Sequence, residues 1–211
     1  MTLNTLTLAL ALFLSAGTLA YWQGWVYLVL YTGGWIVAML DPLRRDPDVL
    51  APHMGGALAE RIAQRLVVGV FTVAFVAIVV VAGLDHRFGW SNVPLAVVVA
   101  GDLLVVLGMT IEIFVLRENT YAPTIEFAPG QQVVTTGPYA VVRHPFYAGA
   151  LIMVFGEVLA LGSWWALVPF AVLKVAIVVR LLDEERYLTR SLPDYVAYRN
   201  TVRFRLVPGL W

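Results

Sequence analysis

The sequence predicts an all-α fold, a polytopic integral membrane helical bundle of five or six transmembrane helices. Of the 211 residues, 60% are hydrophobic and only 13% are charged, whereas soluble domains carry about 25% charged residues. The apolar residues form blocks, several of which are long enough to cross a hydrocarbon core of about 30 Å. The chain has no cysteine, which excludes disulfides and thiolate metal sites. Its formal net charge of zero gives no reason to expect a nucleic-acid partner.

Six apolar segments follow one another along the chain and set the expected number of helices. The third and fourth are the clearest candidates for spans, because each holds about twenty residues rich in Val, Leu and Ala. The first has the length of a signal peptide, but no Lys or Arg precedes it and a second apolar block follows closely. We interpret it as a span, and demoting it gives the five-span version. The six segments are Leu3–Ala20, Trp25–Leu40, Ile62–Gly83, Val93–Leu116, Phe146–Leu161 and Trp164–Leu182.

The placement of Lys and Arg predicts which side of the membrane each loop faces. If the N-terminus is cytoplasmic, the 41–61 loop, the 117–145 loop and the C-terminal tail all lie on the inner side. Together with the adjoining helix ends, they contain every basic residue except Arg87 and Lys174. This positive-inside bias predicts an even number of spans with both termini in the cytoplasm.

No internal repeat divides the chain, so we expect one membrane domain over residues 1–211. Its N-terminal spans occupy residues 1–116, and a more polar region occupies residues 117–211. The side chains that can carry chemistry are concentrated in this second region.

The first candidate group in the polar region precedes the fifth apolar segment. Pro145 suits the first position of a helix, which places His144 at the N-cap and Arg143 just before it. A helix N-terminus has unpaired N–H groups and a partial positive charge, so these residues would form a receptor for a carboxylate or a phosphate. The alternative is an ordinary helix start at the membrane surface.

The second candidate group is acidic and follows the sixth apolar segment. Arg180 and Glu184 are four residues apart and can pair along a helix, whereas Glu185 is turned by about 100° from Glu184. Asp183, Glu184 and Glu185 place three acids where the membrane's inner face is usually basic. A solvated helix end with local ion pairs, including Arg186, is the alternative.

The third candidate group lies in the C-terminal tail. Tyr195, Tyr198 and Arg199 share one face of a predicted helix, Arg203 follows one turn later, and Arg205 also belongs to this group. A basic, aromatic segment of this kind either lies on anionic lipid or closes over a site. The spacing leaves both interpretations open.

Charged residues within the apolar segments offer a further, weaker indication. They are costly in a bilayer unless they are paired or face a cavity, so a polar pocket or a proton path is one interpretation. The chain contains no GxxxxGK[ST] loop, no G-x-S-x-G elbow and no H-E-x-x-H pair. Its three histidines are far apart, and we expect no metal site. The charged residues within the segments are Asp102, Glu112, Glu157 and Lys174.

Several short motifs in the last 90 or so residues occur together in a specific order. They are Gly137-Pro138-Tyr139, Val142-Arg143-His144-Pro145, Tyr147-Ala148-Gly149, Glu184-Glu185, the Leu-Pro-x-Tyr-x-x-Tyr run at Leu192–Tyr198, and Arg203-Phe204-Arg205-Leu206-Val207-Pro208. With these motifs, the region from Asn119 to Trp211 resembles the isoprenylcysteine carboxyl methyltransferase and phospholipid N-methyltransferase group of integral membrane enzymes.

This resemblance implies a cofactor pocket at the cytoplasmic end of the last two spans. The implied methyl donor is S-adenosylmethionine, with S-adenosylhomocysteine as its product. The donor's carboxylate is expected at Arg143 and His144, and its ammonium and sulfonium at Glu184 and Glu185. The implied cofactor-binding residues are Tyr139, Val142, Arg143, His144, Pro145, Tyr147, Glu184, Glu185 and Tyr198. The residues expected to be catalytic are Arg203 and Glu185.

The methyl acceptor stays open between three chemical classes. A carboxylate acceptor such as prenylcysteine would need a cation, for which Arg203 is the candidate. An amine would need a base, either Glu185 or His144, and a small thiol is also compatible with the resemblance. A lipophilic acceptor is favoured because access is from the bilayer. We expect a bacterial inner-membrane protein with its active-site face toward the cytoplasm, whose partners are the lipid bilayer and the acceptor, without nucleic acid or metal.

Two other functions compete with the methyltransferase interpretation. A membrane sterol or enone reductase using NADPH would share the helical layout, but its His-Arg-x-x-Arg-Asp and Lys-Tyr-Gly segments do not occur here. A non-catalytic membrane protein such as a transporter would need broken helices with polar residues near the middle of the membrane. Only Asp102, Glu157 and Lys174 hint at that arrangement.

Overall fold

The computed structural model describes residues 2–45, 62–119 and 133–211, and every regular element in these ranges is a helix. Each of the six apolar segments overlaps one long helix, so the predicted all-α class is confirmed. A 3-10 helix, Gly137–Ala140, precedes the fifth helix, and a short α7 follows the sixth. The α-helices are α1 Thr2–Ala16, α2 Trp22–Arg45, α3 Ile62–Phe88, α4 Leu95–Glu118, α5 Pro145–Ala160, α6 Leu167–Ser191 and α7 Tyr195–Thr201.

Several helix ends differ from the predicted segment ends: α2, α3 and α6 continue beyond Leu40, Gly83 and Leu182, whereas α1 stops short of Ala20. α1 ends at Ala16, four residues before the predicted end, because Gly17 adopts a φ of 68°. α5 ends in the same way before Gly162, whose φ is 67°. Left-handed glycines of this kind commonly terminate helices.

Three stretches in the described part of the chain are long and apolar enough to cross a membrane: Trp22–Leu40, Gly69–Phe88 and Leu95–Glu118. They correspond to α2, α3 and α4. Thr5–Ala16 of α1 and Pro145–Ala160 of α5 are apolar but shorter. The structure therefore supports an integral membrane protein, while the choice between five and six spans stays a prediction.

The six long helices close into a ring through pairwise contacts. α1 packs on α3, α3 on α6, α6 on α5, α5 on α4, α4 on α2, and α2 returns to α1. α2 also contacts α5 across the ring. The large side chains Leu12, Ile78, Leu161 and Leu173 are fully buried inside it. The ring brings the N-terminal end of α5 beside the C-terminal end of α6, where the predicted site residues lie.

Glycines bring α4 and α5 into backbone contact. Gly101 and Gly108 on α4 face Gly156 and Gly149 on α5. A Cβ added at Gly108 would lie 2.5 Å from the Met153 nitrogen. Small residues seven apart on both helices permit this close approach, which is a common way for helices to associate in membranes. The contact fixes α5 firmly against α4.

A buried carboxylate joins two loops at the opposite end of the bundle. Asp85, which is only 2% exposed, accepts hydrogen bonds from the Ser91 nitrogen (2.7 Å), the Ser91 hydroxyl (2.6 Å) and the Ser163 hydroxyl (2.5 Å). Ser91 lies between α3 and α4, and Ser163 lies between α5 and α6. Nearby, the Tyr21 hydroxyl donates to the Leu161 carbonyl. These bonds hold together the end of the bundle that is remote from the predicted site.

Candidate active site

Backbone hydrogen bonds join the C-terminal tail to the start of α5. The Arg143 nitrogen donates to the Phe204 carbonyl (2.8 Å), and the His144 nitrogen donates to the Arg205 carbonyl (3.0 Å). Pro145 is the first residue of α5 and His144 its N-cap, as the sequence predicted. The His144 side chain does not cap the helix. The tail is therefore anchored at the point where α5 begins.

Glu185 binds three cationic or basic side chains at the centre of this region. Its Oε1 accepts a hydrogen bond from Arg143 Nε (2.8 Å) and lies 3.4 Å from His144 Nε2, while its Oε2 accepts one from Arg205 Nε (2.9 Å). Arg143, His144 and Glu185 are all buried. Burial alone would raise the pKa of Glu185, but hydrogen bonds from His144 and Arg205 and the positive charges of His144 and Arg143 lower it to about 2. Glu185 is thus a carboxylate at neutral pH, and His144 Nε2 faces it as a donor.

Arg143 links this carboxylate to the tail backbone as well. Its Nη1 donates to the carbonyls of Val202 (3.1 Å) and Arg203 (3.0 Å). One guanidinium therefore contacts both α6 and the tail. Arg can make all these contacts because its planar guanidinium presents several N–H donors in a fixed geometry, which the Lys ammonium does not.

Glu184 takes part in a second hydrogen-bonded chain, on the other side of α6's last turns. The Tyr147 hydroxyl donates to Glu184 Oε2 (2.6 Å) and accepts from Arg180 Nε (2.8 Å). Burial raises the pKa of Glu184, against the lowering effect of His144, Tyr147 and Arg180. The direct Arg180–Glu184 pair predicted from their spacing is thus bridged by a tyrosine from α5.

Aromatic side chains from the 3-10 helix and α7 form one wall of the region. The Tyr198 hydroxyl donates to the Tyr139 carbonyl (2.8 Å), and Asn119 Nδ2 donates to the Tyr139 hydroxyl (3.3 Å). Burial raises the pKa of Tyr139 to about 12, so its hydroxyl stays protonated. Tyr195 and Tyr198 pack together with Val202 in a small core next to Tyr139.

Nearly all of the predicted site residues, cofactor-binding and catalytic, come together at this end of the bundle. The His144 and Tyr147 rings lie 5.9 Å apart and connect the two hydrogen-bonded chains. Val142 and Pro145 are buried beside them. Arg203 is the exception, because its side chain is exposed and only its carbonyl joins the cluster. Its catalytic role stays a prediction.

Arg205 belongs to the tail group and tail motif noted in the sequence, but it was not among the residues predicted to be catalytic or cofactor-binding. Its guanidinium binds Glu185 and lies 5.1 Å from the Trp211 ring. The helical spacing that favoured Arg203 does not apply, because α7 ends at Thr201 and the following residues are not helical. The order Arg-Phe-Arg in the tail was the available signal, but it does not tell which arginine faces inward.

The charged residues predicted within the spans have different surroundings. Glu112 and Glu157 are buried, and Glu157 lies beside Tyr27. Asp102, Glu112 and Glu157 each keep a buried oxygen that accepts no hydrogen bond from the described residues. Lys174 is exposed on α6. The proton-path interpretation stays a prediction, and the described residues contain no group of three His, Cys, Asp or Glu able to hold a metal.

Comparison with known families bears directly on this region. The profile of the phospholipid methyltransferase family matches residues 96–194, from the start of α4 to the residue before α7. The matched segment contains all the predicted cofactor-binding residues except Tyr198. No curated protein matches the chain. The match favours the methyltransferase interpretation over a sterol or enone reductase and confirms the resemblance found in the motifs. Over residues 96–194, the chain is similar to the phospholipid methyltransferase family.

Proposed function

We propose that this protein transfers a methyl group from S-adenosylmethionine to a lipophilic or small acceptor. The observation that carries the proposal is the meeting of Arg143, His144, Tyr147, Glu184 and Glu185 at one end of α5 and α6. These residues belong to three separate motifs, and all of them fall in the segment that matches the family. The proposed cofactor pocket lies at this end of the bundle, which we expect to face the cytoplasm.

The residues present suit the chemical groups of the donor. When bound, S-adenosylmethionine supplies a methyl group on a positively charged sulfonium. Glu184 Oε2 is held by Tyr147, and its other oxygen accepts no hydrogen bond from the described residues, so it is available to an ammonium or to the sulfonium's charge. The first N–H groups of α5 have no intrahelical partner and can receive the donor's carboxylate. Tyr139 and Tyr198 offer aromatic faces to the adenine or the cation.

The contacts of Glu185 support an anchoring role rather than a role in proton transfer. Both of its oxygens are already bound by Arg143 and Arg205, and its low pKa makes it a weak base. We therefore propose that Glu185 positions the tail and His144, and that the donor is contacted by Glu184. The catalytic role suggested for Glu185 by the sequence stays a prediction, to be decided by the experiments below.

Three acceptor classes remain part of the proposal. Methyl transfer is a direct displacement, in which the acceptor's lone pair forms the new bond and the carbon–sulfur bond breaks. An amine that arrives as an ammonium must first lose a proton. Glu184 suits this step because burial raises its pKa. A carboxylate or thiolate acceptor needs no such proton transfer but needs a cation nearby, and the exposed Arg203 is the candidate.

Calorimetric titration of the purified protein tests the donor. We expect binding of S-adenosylmethionine and S-adenosylhomocysteine, and none of NADPH. Replacing Glu184 by Ala should weaken donor binding about tenfold, the equivalent of one charge-assisted hydrogen bond. Replacing Glu185 by Ala should also weaken it, because the tail beside the site is then released. Absence of binding by both adenosyl compounds would exclude the proposal. Unchanged affinity in both variants would show that the site lies elsewhere.

Transfer of a radiolabelled methyl group tests the acceptor. The label should appear in one fraction of a lipid extract or in one member of a panel containing a prenylated cysteine, long-chain amines and small thiols. Two variants distinguish the acceptor classes. Arg203→Gln should impair transfer to a carboxylate, whereas Glu184→Gln should impair transfer to an amine more strongly at lower pH, where the amine is more fully protonated.

A further inference from the structure

The C-terminal loop, residues 202–211, exposes several large apolar side chains. Phe204, Val207, Leu210 and Trp211 are 36%, 48%, 80% and 38% exposed. Four exposed apolar residues within eight positions are unusual for a surface that faces water, and apolar patches of this kind mark interaction sites. None of these four side chains takes part in the hydrogen-bonded cluster around Glu185.

The position of the loop brings these side chains to the depth at which a helix enters the apolar layer. The carbonyls of Phe204 and Arg205 accept hydrogen bonds from Arg143 and His144, directly before Pro145 begins α5. The fifth apolar segment starts one residue later. The loop is therefore held beside the start of an apolar helix, a place where we expect the edge of the bilayer and where Trp and other amphipathic residues are favoured.

The loop also has a closed shape that would survive contact with lipid. The Trp211 carbonyl accepts hydrogen bonds from the nitrogens of Arg205 (2.9 Å), Leu206 (3.0 Å) and Val207 (3.2 Å). The Arg205 guanidinium covers the Trp211 ring while it binds Glu185. Several backbone polar groups of the turn are thus satisfied within the protein, which lowers the cost of placing it against an apolar phase.

The charged residues around the loop indicate which kind of surface it binds. Arg186, Arg190, Arg199 and Arg203, on α6, α7 and the loop itself, are all exposed, whereas Asp194 is the exposed acid among the residues between them. Basic residues next to an apolar patch favour an anionic membrane surface. We propose that the C-terminal loop docks on the adjacent leaflet, with its apolar side chains at headgroup depth and the surrounding arginines on anionic phospholipid headgroups.

Fluorescence quenching in reconstituted bilayers tests the apolar contact. The full-length protein is placed in nanodiscs of phosphatidylcholine brominated either near the headgroup or deep in the acyl chain. Because the chain has seven tryptophans, the signal of Trp211 is taken as the difference between the wild type and Trp211→Phe. We expect shallow bromines to quench this signal more than deep ones. Leu210→Ser should lower the quenching about twofold, since the most exposed apolar anchor is lost.

Matched variants at the other end of the bundle serve as controls. Leu19 is 67% exposed in the loop between α1 and α2, and Leu19→Ser should leave the Trp211 quenching unchanged. Phosphatidylglycerol at one-third of the lipid should increase the quenching, and Arg199→Gln should reduce that increase while Arg87→Gln should not. If no brominated lipid quenched the Trp211 signal, the docking proposal would be overturned, because the loop would then face water or another protein. Equal quenching with and without phosphatidylglycerol would overturn the anionic preference.

Discussion

Glu185 and Glu184 are neighbours in sequence, yet their surroundings give them opposite properties. Glu185 is fixed by Arg143, His144 and Arg205, and its pKa is depressed. Glu184 meets a tyrosine hydroxyl, and burial raises its pKa. Because consecutive helix residues point about 100° apart, one acid can brace the tail while the other serves a ligand. Two carboxylates in environments this different can take different roles.

The depressed pKa of Glu185 makes a prediction for stability against pH. A carboxylate whose folded pKa lies below its ordinary value of 4.5 stabilises the fold above pH 4.5, and this contribution is lost as the pH falls through about 2. Wild-type protein in mixed micelles should therefore lose unfolding free energy over this window. Glu185→Gln should be less stable at neutral pH by about 3 kcal/mol and should lose less on acidification.

Asp183→Asn is the control for this prediction. It removes a carboxylate two residues earlier on the same helix. Its loss of unfolding free energy on acidification should follow that of the wild type. If Glu185→Gln and the wild type lose the same free energy between neutral pH and pH 2, then Glu185 is not the group that ties the tail to the bundle.

Tyr147 carries a separate prediction, because its hydroxyl is the bridge between Arg180 and Glu184. Tyr147→Phe keeps the ring but removes both hydrogen bonds. We expect a loss of about 1–2 kcal/mol in stability and weaker binding of S-adenosylmethionine, since Glu184 is no longer oriented. Thermal denaturation and calorimetric titration measure the two effects.

Tyr195→Phe provides a closely matched control for that variant. Tyr195 is also a buried tyrosine near the site, but its hydroxyl has no hydrogen-bond partner among the described residues. Removing this hydroxyl should leave stability and donor affinity nearly unchanged. Equal effects of the two substitutions would argue that the Tyr147 hydroxyl has no special role.

At the scale of elements, hydropathy alone located all six long helices, and the positions of Pro145 and His144 at the start of α5 followed from helix-end chemistry. The contacts between elements were harder to predict. Arg143 meets Glu185 across 42 positions, and Arg205 meets it across 20. Helical or strand periodicity does not link residues so far apart in the sequence, so these contacts could not be predicted from spacing. Asp85 was missed for the same reason, because its partners lie in two different loops.

The contact between α4 and α5 provides the prediction at this scale. A Cβ at Gly108 would lie 2.5 Å from the Met153 nitrogen and 2.6 Å from the Gly149 carbonyl oxygen. Backbone atoms cannot move aside as a flexible side chain can, so Gly108→Ala must separate the two helices. We expect a destabilisation of about 1–3 kcal/mol, together with reduced donor binding, since α5 carries His144 and Tyr147 at its start.

Gly33 is the matched control in this case. It also lies within a helix, α2, but a Cβ there would meet nothing within 4 Å. Gly33→Ala should be neutral or slightly stabilising, because Ala favours the helix over Gly. If both substitutions had the same effect on unfolding free energy, the close α4–α5 packing would not be what makes Gly108 important.

At the scale of the whole molecule, the ring of helices gives the protein two chemically different ends. One holds the Asp85 loops with a surrounding group of exposed aromatic residues that includes Phe88 and Trp90. The other holds the arginines, the two acids and the tail. The basic residues predict that this second end faces the cytoplasm, which would give the proposed site its donor from the cytoplasm and its acceptor from the bilayer.

Cysteine labelling can decide both the orientation and the number of spans, and the absence of native cysteine makes every introduced thiol unique. Single variants Thr2→Cys, Asn92→Cys and Asn200→Cys are expressed in cells and treated with a membrane-impermeant maleimide. Six spans with cytoplasmic termini require labelling of position 92 in intact cells, and of positions 2 and 200 only after the membrane is opened. Five spans that leave α1 outside would add position 2 to those labelled in intact cells. Labelling of position 200 in intact cells would contradict the inward orientation, because the tail that carries this residue also carries Arg205 and would place the proposed site on the outer face.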